Sequence, residues 1–421
     1  MRTPEKFMSS AAGPIVSYRR YWLPELIVLA LLAVSAIILF AVTNLDSTAA
    51  RLFYHPELGY VWPVSGRPLW AMLYRATPWM TGSMAVCGGV MLVVGLLREQ
   101  SKRFRLYGLF ILLCVLLGPG LVINAVLKDH WGRPRPRQTV EFGGQFQYVH
   151  PLVPSGTNGK SFPSGDASVG FVSSAGWWLW RRSHPKRAVL SLAAGMSLGT
   201  LLGLGRMAAG AHFLSDVIWS ALIVFCVGHV LYYYVLRIPA REDSHKVMYP
   251  LIETNARIRT ATIAASCLLG ATIISGAIFA TPADRDLTAL IRLADYAAAP
   301  EQIEVVADRL DVDLQLVADP TGEIECKGAV HSFGLPTNEI RQTWEFEGLP
   351  KPTLRYRVVE KGLFIDIDGA AHLRIPVKGV QRIIVRVKRG DISVNNTLAN
   401  PGPGRLPILD LNTKDGSVRQ L

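Results

Sequence analysis

Cysteine is scarce in this chain, five in 421 residues. Cys87, Cys114, Cys226 and Cys267 fall inside apolar runs and Cys326 stands alone further on, so there is no disulfide framework and no metal-ligand spacing. No metal and no cofactor is expected. Acidic residues are also few, 32 against 44 Lys and Arg, which leaves a net charge of +12. A nucleic-acid partner would account for such an excess, but the polar part of the chain lacks a cationic stripe with interleaved aromatics, and none is expected. The shortage of acid is local. Beyond residue 281 the chain carries 18 basic and 20 acidic residues, so the whole positive excess precedes that point. A small-residue cleavage site after the first apolar run is missing as well, and that run is read as a retained helix rather than a removed signal peptide.

What the chain does have is length of apolar run. Half of its residues are hydrophobic, and the runs at roughly 26–45, 78–97, 106–127, 166–180, 188–205, 213–236 and 261–280 are candidates to cross a bilayer. The fourth is short and the fifth is rich in Gly and Ala. Basic clusters at Arg19-Arg20, Arg98 to Arg105, Arg181 to Arg187 and Arg237 to Arg259 fall on one face if the N-terminus lies inside, and the positive-inside rule makes that face cytoplasmic. Residues 46–77, 128–165, 206–212 and everything after 281 then lie on the other side. Trp177, Trp178, Trp180 and Tyr232 to Tyr234 read as interfacial belts. Gly118-Pro119-Gly120 predicts an interruption of the third span, with freed carbonyls that need new partners.

After residue 281 the pattern changes. Residues 286–298 have the spacing of one amphipathic helix. Thr353 to Ile367 and Gln381 to Val394 alternate apolar with polar residues, with turns predicted at Glu360-Lys361-Gly362 and Asp368-Gly369. Asp366 and Asp368 read as an exposed strand face rather than a metal site. The stretch from Gly390 to Gly416 loosely resembles adhesin-type β-solenoid repeats. The expected architecture is an all-α membrane bundle of about seven transmembrane helices over 1–281, followed by a β-rich soluble domain over 282–421 with an N-terminal helix.

Three short motifs carry chemistry. In the first, Lys128-Asp129-His130-Trp131-Gly132-Arg133-Pro134-Arg135-Pro136, prolines stiffen an extended segment that presents Arg133, Arg135 and Arg137. The guanidinium fork suits bidentate contact with phosphate oxygens. In the second, Ser161-Phe162-Pro163-Ser164-Gly165-Asp166, a helix N-terminus offers N–H groups to an anion and Gly165 permits close approach. In the third, Arg206 precedes His212 and Asp216, whose i to i+4 spacing puts them on one face of the sixth helix; a carboxylate there can accept the Nδ1 proton and leave Nε2 as a nucleophile. Singly, each has a plain reading: a snorkelling lysine, a helix cap, an ordinary ion pair. In order and on one side of the membrane, the three fit phosphoryl transfer.

Lys128-x6-Arg135-Pro136, Pro163-Ser164-Gly165 and Arg206-x5-His212-x3-Asp216 together resemble the signature of the type 2 phosphatidic acid phosphatase superfamily over about residues 20–240. The resemblance implies a helical bundle and metal-independent dephosphorylation through a phosphohistidine. On that basis His212 is the nucleophile and Asp216 orients it, while Lys128, Arg135, Arg206, Ser164 and the Gly165 amide hold the phosphate. Two positions depart from the pattern: Asp166 stands where the family has His, and Gly205 where it has Ser. The acid that protonates the leaving oxygen is then Asp166, or His130, His150 or Glu141 from the neighbouring loop.

Leu45-Asp46, Arg51 to Pro56, the Arg137 to Gly144 loop and the acid after Ser-Gly are similar to bacterial lipid A phosphatases. This implies a phosphorylated glycolipid substrate at the outer face of a bacterial inner membrane and leaves room for a cell-envelope partner of the tail. Polyprenyl diphosphate or phosphatidylglycerophosphate hydrolysis, phosphate transfer between lipids, a catalytically impaired lipid-phosphate binder and a haloperoxidase with a related pocket remain as alternatives.

Overall fold

Six helices among the described residues are long and apolar enough to cross a bilayer: Tyr21–Val42, Met72–Leu97, Arg103–Gln138, Pro185–Ala208, Leu214–Asp243 and Thr260–Phe279. The computed structural model describes residues 19–56, 62, 68–144, 146–157, 159–243, 256–296, 298–318, 322–348, 350–396 and 407–420. Residues 57–61 and 63–67 of the 46–77 connection and 244–255 of the last basic cluster lie outside them. The chain divides into two compact units, Met1–Ala277 and Ile278–Leu421.

In the first unit the helices are α1 (Arg19–Val42), α2 (Leu45–Arg51), α3 (Pro68–Leu97), α4 (Arg103–Val115), α5 (Gly165–Val172), α6 (Gly176–Trp180), α7 (Pro185–Ala208), α8 (Leu214–Val230), α9 (Ile238–Asp243) and α10 (Ala256–Phe279). The expected fourth span is helical but split: α5 and α6 are joined by a 3-10 turn at Ser173–Ala175, and together they fall short of the ~20 residues a span needs. The expected interruption at Gly118-Pro119-Gly120 takes the form of a π-helical stretch, Leu116–Lys128, continuing α4. Within it the Asn124 amide donates to the Pro119 carbonyl at 2.8 Å.

The belt reading of the aromatics needs correction. Trp178 and Tyr232 are buried, each with its ring edge-on to Phe110, whereas Trp180 and Tyr234 are exposed. On a helix these neighbours point different ways, so a run of aromatics is divided between core and lipid.

Small residues let α5 and α7 touch: a Cβ on Gly170 would lie 2.4 Å from the Gly199 Cα. Gly170→Ala is therefore expected to destabilise the purified protein by about 1–3 kcal/mol. The reading is a lowered Tm in detergent, with Gly82→Ala as control because nothing lies within 4 Å of a Cβ there. Equal Tm values for the two variants would refute the close approach.

The second unit is built from two sheets. One has strand order β1-β6-β9-β5-β11-β13 with β2 and β3 also on β6; the other runs β12-β10-β4-β8-β7. The strands are β1 (Thr281–Pro282), β2 (Arg285–Asp286), β3 (Ala289–Arg292), β4 (Gln302–Arg309), β5 (Asp311–Val317), β6 (Glu323–Gly334), β7 (Glu339–Glu347), β8 (Thr353–Lys361), β9 (Phe364–Pro376), β10 (Arg382–Arg389), β11 (Ile392–Asn396), β12 (Ile408–Asp415) and β13 (Val418–Gln420). The pairs β4–β5, β8–β9, β10–β11 and β12–β13 each place one strand in each sheet. The chain therefore coils, with Leu314, Leu373, Tyr356 and Val385 buried in one core. Gly362 and Gly390 turn two of the corners at φ 122° and 137°, which side chains rarely adopt.

Two local expectations fail here. Residues 286–298 form no amphipathic helix: β2 and β3 pair antiparallel with β6, and only Leu293–Asp295 makes a helical turn. An edge-strand position with Leu287 buried outweighs the helical spacing. Asp368-Gly369 is not a turn either, since β9 runs through it with Gly369 opposite Val330 of β6.

Candidate active site

His212 lies in a short connection, not on a helix. α7 ends at Ala208, Gly210 reverses the chain at φ 61°, and α8 begins only at Leu214. The expectation that His212 and Asp216 share one helical face is thus corrected. Phe213 is extended (φ −83°, ψ 164°), and the Asp216 carboxylate accepts its backbone N–H at 2.7 Å, starting the helix there.

The imidazole is 2% exposed, and its Nδ1 lies 2.6 Å from the Ser161 carbonyl oxygen. The nearest Asp216 oxygen is 3.7 Å from Nδ1, too far for a hydrogen bond. Since a carbonyl only accepts, Nδ1 carries the proton and Nε2 the lone pair. Burial pushes the imidazole pKa from 6.5 down to about 4; the Asp216 charge opposes this, and the Arg206 and Lys128 charges add to it. The ring is neutral near pH 7, as a nucleophile must be.

Asp216 is held from all sides. One oxygen accepts from the Ser161 hydroxyl at 2.6 Å, and the other is ion-paired with Arg133. Arg133 is fully buried and spends its donors internally: Nε on the Val149 carbonyl at 2.8 Å, and the terminal nitrogens on Ser215 Oγ (2.8 Å), Asp46 (2.8 Å) and Asp216. It is therefore not one of the guanidinium groups presented to phosphate, as its alternation with Arg135 across Pro134 suggested. Asp46 also accepts from the Ser215 backbone at 2.8 Å, the Ser215 hydroxyl at 2.6 Å and the Tyr148 hydroxyl at 2.9 Å. The sequence singled out Asp46 only within the stretch similar to lipid A phosphatases, with no signal that it meets Arg133 and Ser215.

The groups expected to hold phosphate are distributed around this centre. Lys128 closes the π-helical stretch, and its charge acts on His212 together with that of Arg206. Arg206, on the last turn of α7, lies over the Tyr74 ring at 4.2 Å, a partner that the sequence did not single out. Arg135 is buried in extended backbone, and its segment is tied to the His212 connection by Arg137 N–H donating to the Gly210 carbonyl at 3.1 Å. Ser164 precedes α5 in the capping position but makes no side-chain cap. Its hydroxyl is 0% exposed and has no hydrogen-bond partner among the described residues. Its backbone N–H donates to the Asp216 carbonyl at 3.2 Å. A Cβ on Gly165 would sit 2.5 Å from Asn124 Oδ1, so a larger residue would have to displace the Asn124 amide.

Asp166 forms an ion pair with Arg206 at 3.2 Å. The other acids that sequence reasoning left open are engaged elsewhere. Glu141 holds Arg51 at 2.7 Å and Ser47 at 2.6 Å, while His130 and His150 have Nδ1 on the carbonyls of Val126 and Phe40. Gly205 has a packing reason, because a Cβ there would lie 2.9 Å from the Trp70 ring.

Residues 105–239 match the PAP2 superfamily. The chain is 39% identical over 136 residues to a lipid A 4'-phosphatase of Francisella tularensis subsp. novicida (strain U112), covering 31% of this chain and 59% of that one. It is 41% identical over 118 residues to a lipid A 4'-phosphatase of Rhizobium leguminosarum, covering 26% and 48%. The chain thus spans about half the length of these relatives. Among solved structures it is similar to the PAP2 type phosphatidylglycerolphosphate phosphatase from Bacillus subtilis at 20% identity and a TM-score of 0.29, covering 54% of this chain and 99% of that one, a likeness that carries no argument here. The stretch that holds Lys128, Ser164, His212 and Asp216 thus matches the PAP2 superfamily, and the relatives that share it are lipid A 4'-phosphatases.

Proposed function

We propose that the protein is an integral membrane phosphatase that hydrolyses a phosphomonoester or diphosphate on a lipid through a phosphohistidine at His212. A lipid A-like glycolipid is the favoured substrate, because the relatives of this stretch carry that name. The observation that carries the reading is the histidine itself: buried, neutral, and with its lone pair assigned to Nε2 by the Ser161 carbonyl. The Ser164 hydroxyl supports it, since a buried donor without a partner costs about 1–3 kcal/mol and a phosphate oxygen would satisfy it.

In this reading Nε2 attacks phosphorus as the bond to the leaving oxygen breaks. Lys128, Arg135 and Arg206 hold the equatorial oxygens, where charge must be stabilised. Phosphate takes over Arg206, and Asp166, parted from its cation beside an anion, gains a proton to give the leaving oxygen. Water then attacks the phosphohistidine and returns a proton to Asp166, releasing phosphate and restoring the imidazole.

With the short α5–α6 segment counted as a seventh crossing, the basic clusters support a site on the periplasmic side of the inner membrane with the chain after 281 in the same compartment, where cell-envelope material is the partner class proposed for the β-rich unit. The test is phosphate release in detergent with EDTA present, from lipid A, undecaprenyl diphosphate, phosphatidylglycerophosphate and phosphatidic acid. Release from lipid A in preference to the rest is expected. Preference for another lipid would overturn the substrate, and release that EDTA abolishes would overturn the metal-independent mechanism.

A further inference from the structure

We propose that Arg133 and Asp46 are positioning residues that hold Asp216 and Ser161 in place and keep a net negative charge behind His212. This rests on the reading of His212 as nucleophile. The geometry carries it in three steps.

Asp216 does not reach the imidazole directly; it lies 3.7 Å from Nδ1, while Nδ1–H donates to the Ser161 carbonyl at 2.6 Å. Orientation of the ring therefore depends on where Ser161 sits. Ser161 is clamped twice, by its hydroxyl on Asp216 at 2.6 Å and by its backbone N–H on the Arg133 carbonyl at 3.0 Å. Arg133 thus holds Ser161 with its backbone and Asp216 with its side chain, joining the first motif to the second and third.

The second step is charge. One guanidinium facing one carboxylate would cancel it, and Asp216 would offer His212 little. Arg133 faces two carboxylates, Asp46 and Asp216. The group of three keeps one negative charge, buried and hence weakly screened, next to the ring that becomes positive when it attacks phosphorus. Among the described groups acting on His212, Arg206 and Lys128 are positive and Asp216 is negative, so this one charge is what opposes them.

The third step is that Asp46 is itself fixed. Ser215 and Tyr148 donate to it, and Ser215 is the neighbour of Asp216. The α2 helix, whose side chains otherwise meet the loop at Glu141, is thereby tied to the start of α8.

The test uses the full-length protein in detergent. Asp46→Asn keeps the shape and removes the charge. It is expected to lower kcat about 10- to 100-fold, the range seen when an outer partner orienting a metal-bound histidine is removed, with KM little changed. It should also move the titration of His212, followed by NMR on histidine-labelled protein, to lower pH. Asp46→Glu, which restores the charge, should recover both in part. Arg133→Lys should not, since an ammonium lacks the planar fork that spans both carboxylates. A His212 titration and kcat unchanged in Asp46→Asn, with only a lower Tm, would overturn the proposal and leave the network purely structural. His212→Ala, run alongside, separates the two readings: if it stays active the nucleophile is misassigned, whereas the NMR titration still judges the network.

Discussion

His212→Ala is expected to lower kcat by about 10⁴-fold or more, the scale on which loss of a nucleophile acts. Nε2 is the lone pair that the hydrogen bond on Nδ1 leaves available. With radiolabelled lipid phosphate, the wild type should yield an acid-labile, base-stable phosphoprotein on rapid quenching, and the variant none. A variant that still forms labelled protein would sink the phosphohistidine. The wild type carries a pH signature too. Because burial holds the folded imidazole near 4, the acid limb of kcat/KM set by this group should lie near pH 4 rather than 6.5. The same displacement bears on folding with a definite sign. Between those values the unfolded chain binds the proton and the folded one does not, so stability falls as pH drops from about 6.5 toward 4. Tm should therefore begin to fall below about pH 6.5, ahead of the activity limb near 4, and kinetics must be read on the folded fraction.

The second large effect concerns Asp166, where the family pattern has a histidine. Asp166→Asn should cost about 10²–10⁴-fold on a lipid phosphomonoester, the worth of a positioned proton donor, and far less on p-nitrophenyl phosphate, whose leaving group needs no proton. That contrast distinguishes an acid from a residue that merely occupies Arg206 through the 3.2 Å ion pair. If Asp166→Asn instead raised activity on both substrates, the ion pair would be inhibitory and the acid would have to be another group. The three alternatives are less well placed for that, since Glu141 is tied to Arg51 and Ser47 and both histidines face backbone carbonyls.

Much was legible from local pattern. Apolar length marks the spans because a bilayer core leaves no other way to satisfy a crossing backbone, and six helices answer to it. Period-two alternation marks the tail as β-rich, and the ordered triple of motifs marks the domain to which residues 105–239 belong. Spacing alone misled where a helix was assumed to run unbroken, since the i to i+4 relation of His212 and Asp216 holds no meaning before α8 starts at Leu214. It misled again at 286–298, where pairing with β6 decides the conformation.

The sequence by itself determined six of the membrane spans, the β-rich tail and the residue types of the candidate site, because each follows from composition within a short window. Only the tertiary structure placed the Ser161 carbonyl on Nδ1 of His212 and set Arg133 between Asp46 and Asp216. Those contacts join positions 51, 83 and 87 residues apart, and which buried donor meets which acceptor depends on how the helices pack rather than on any local period.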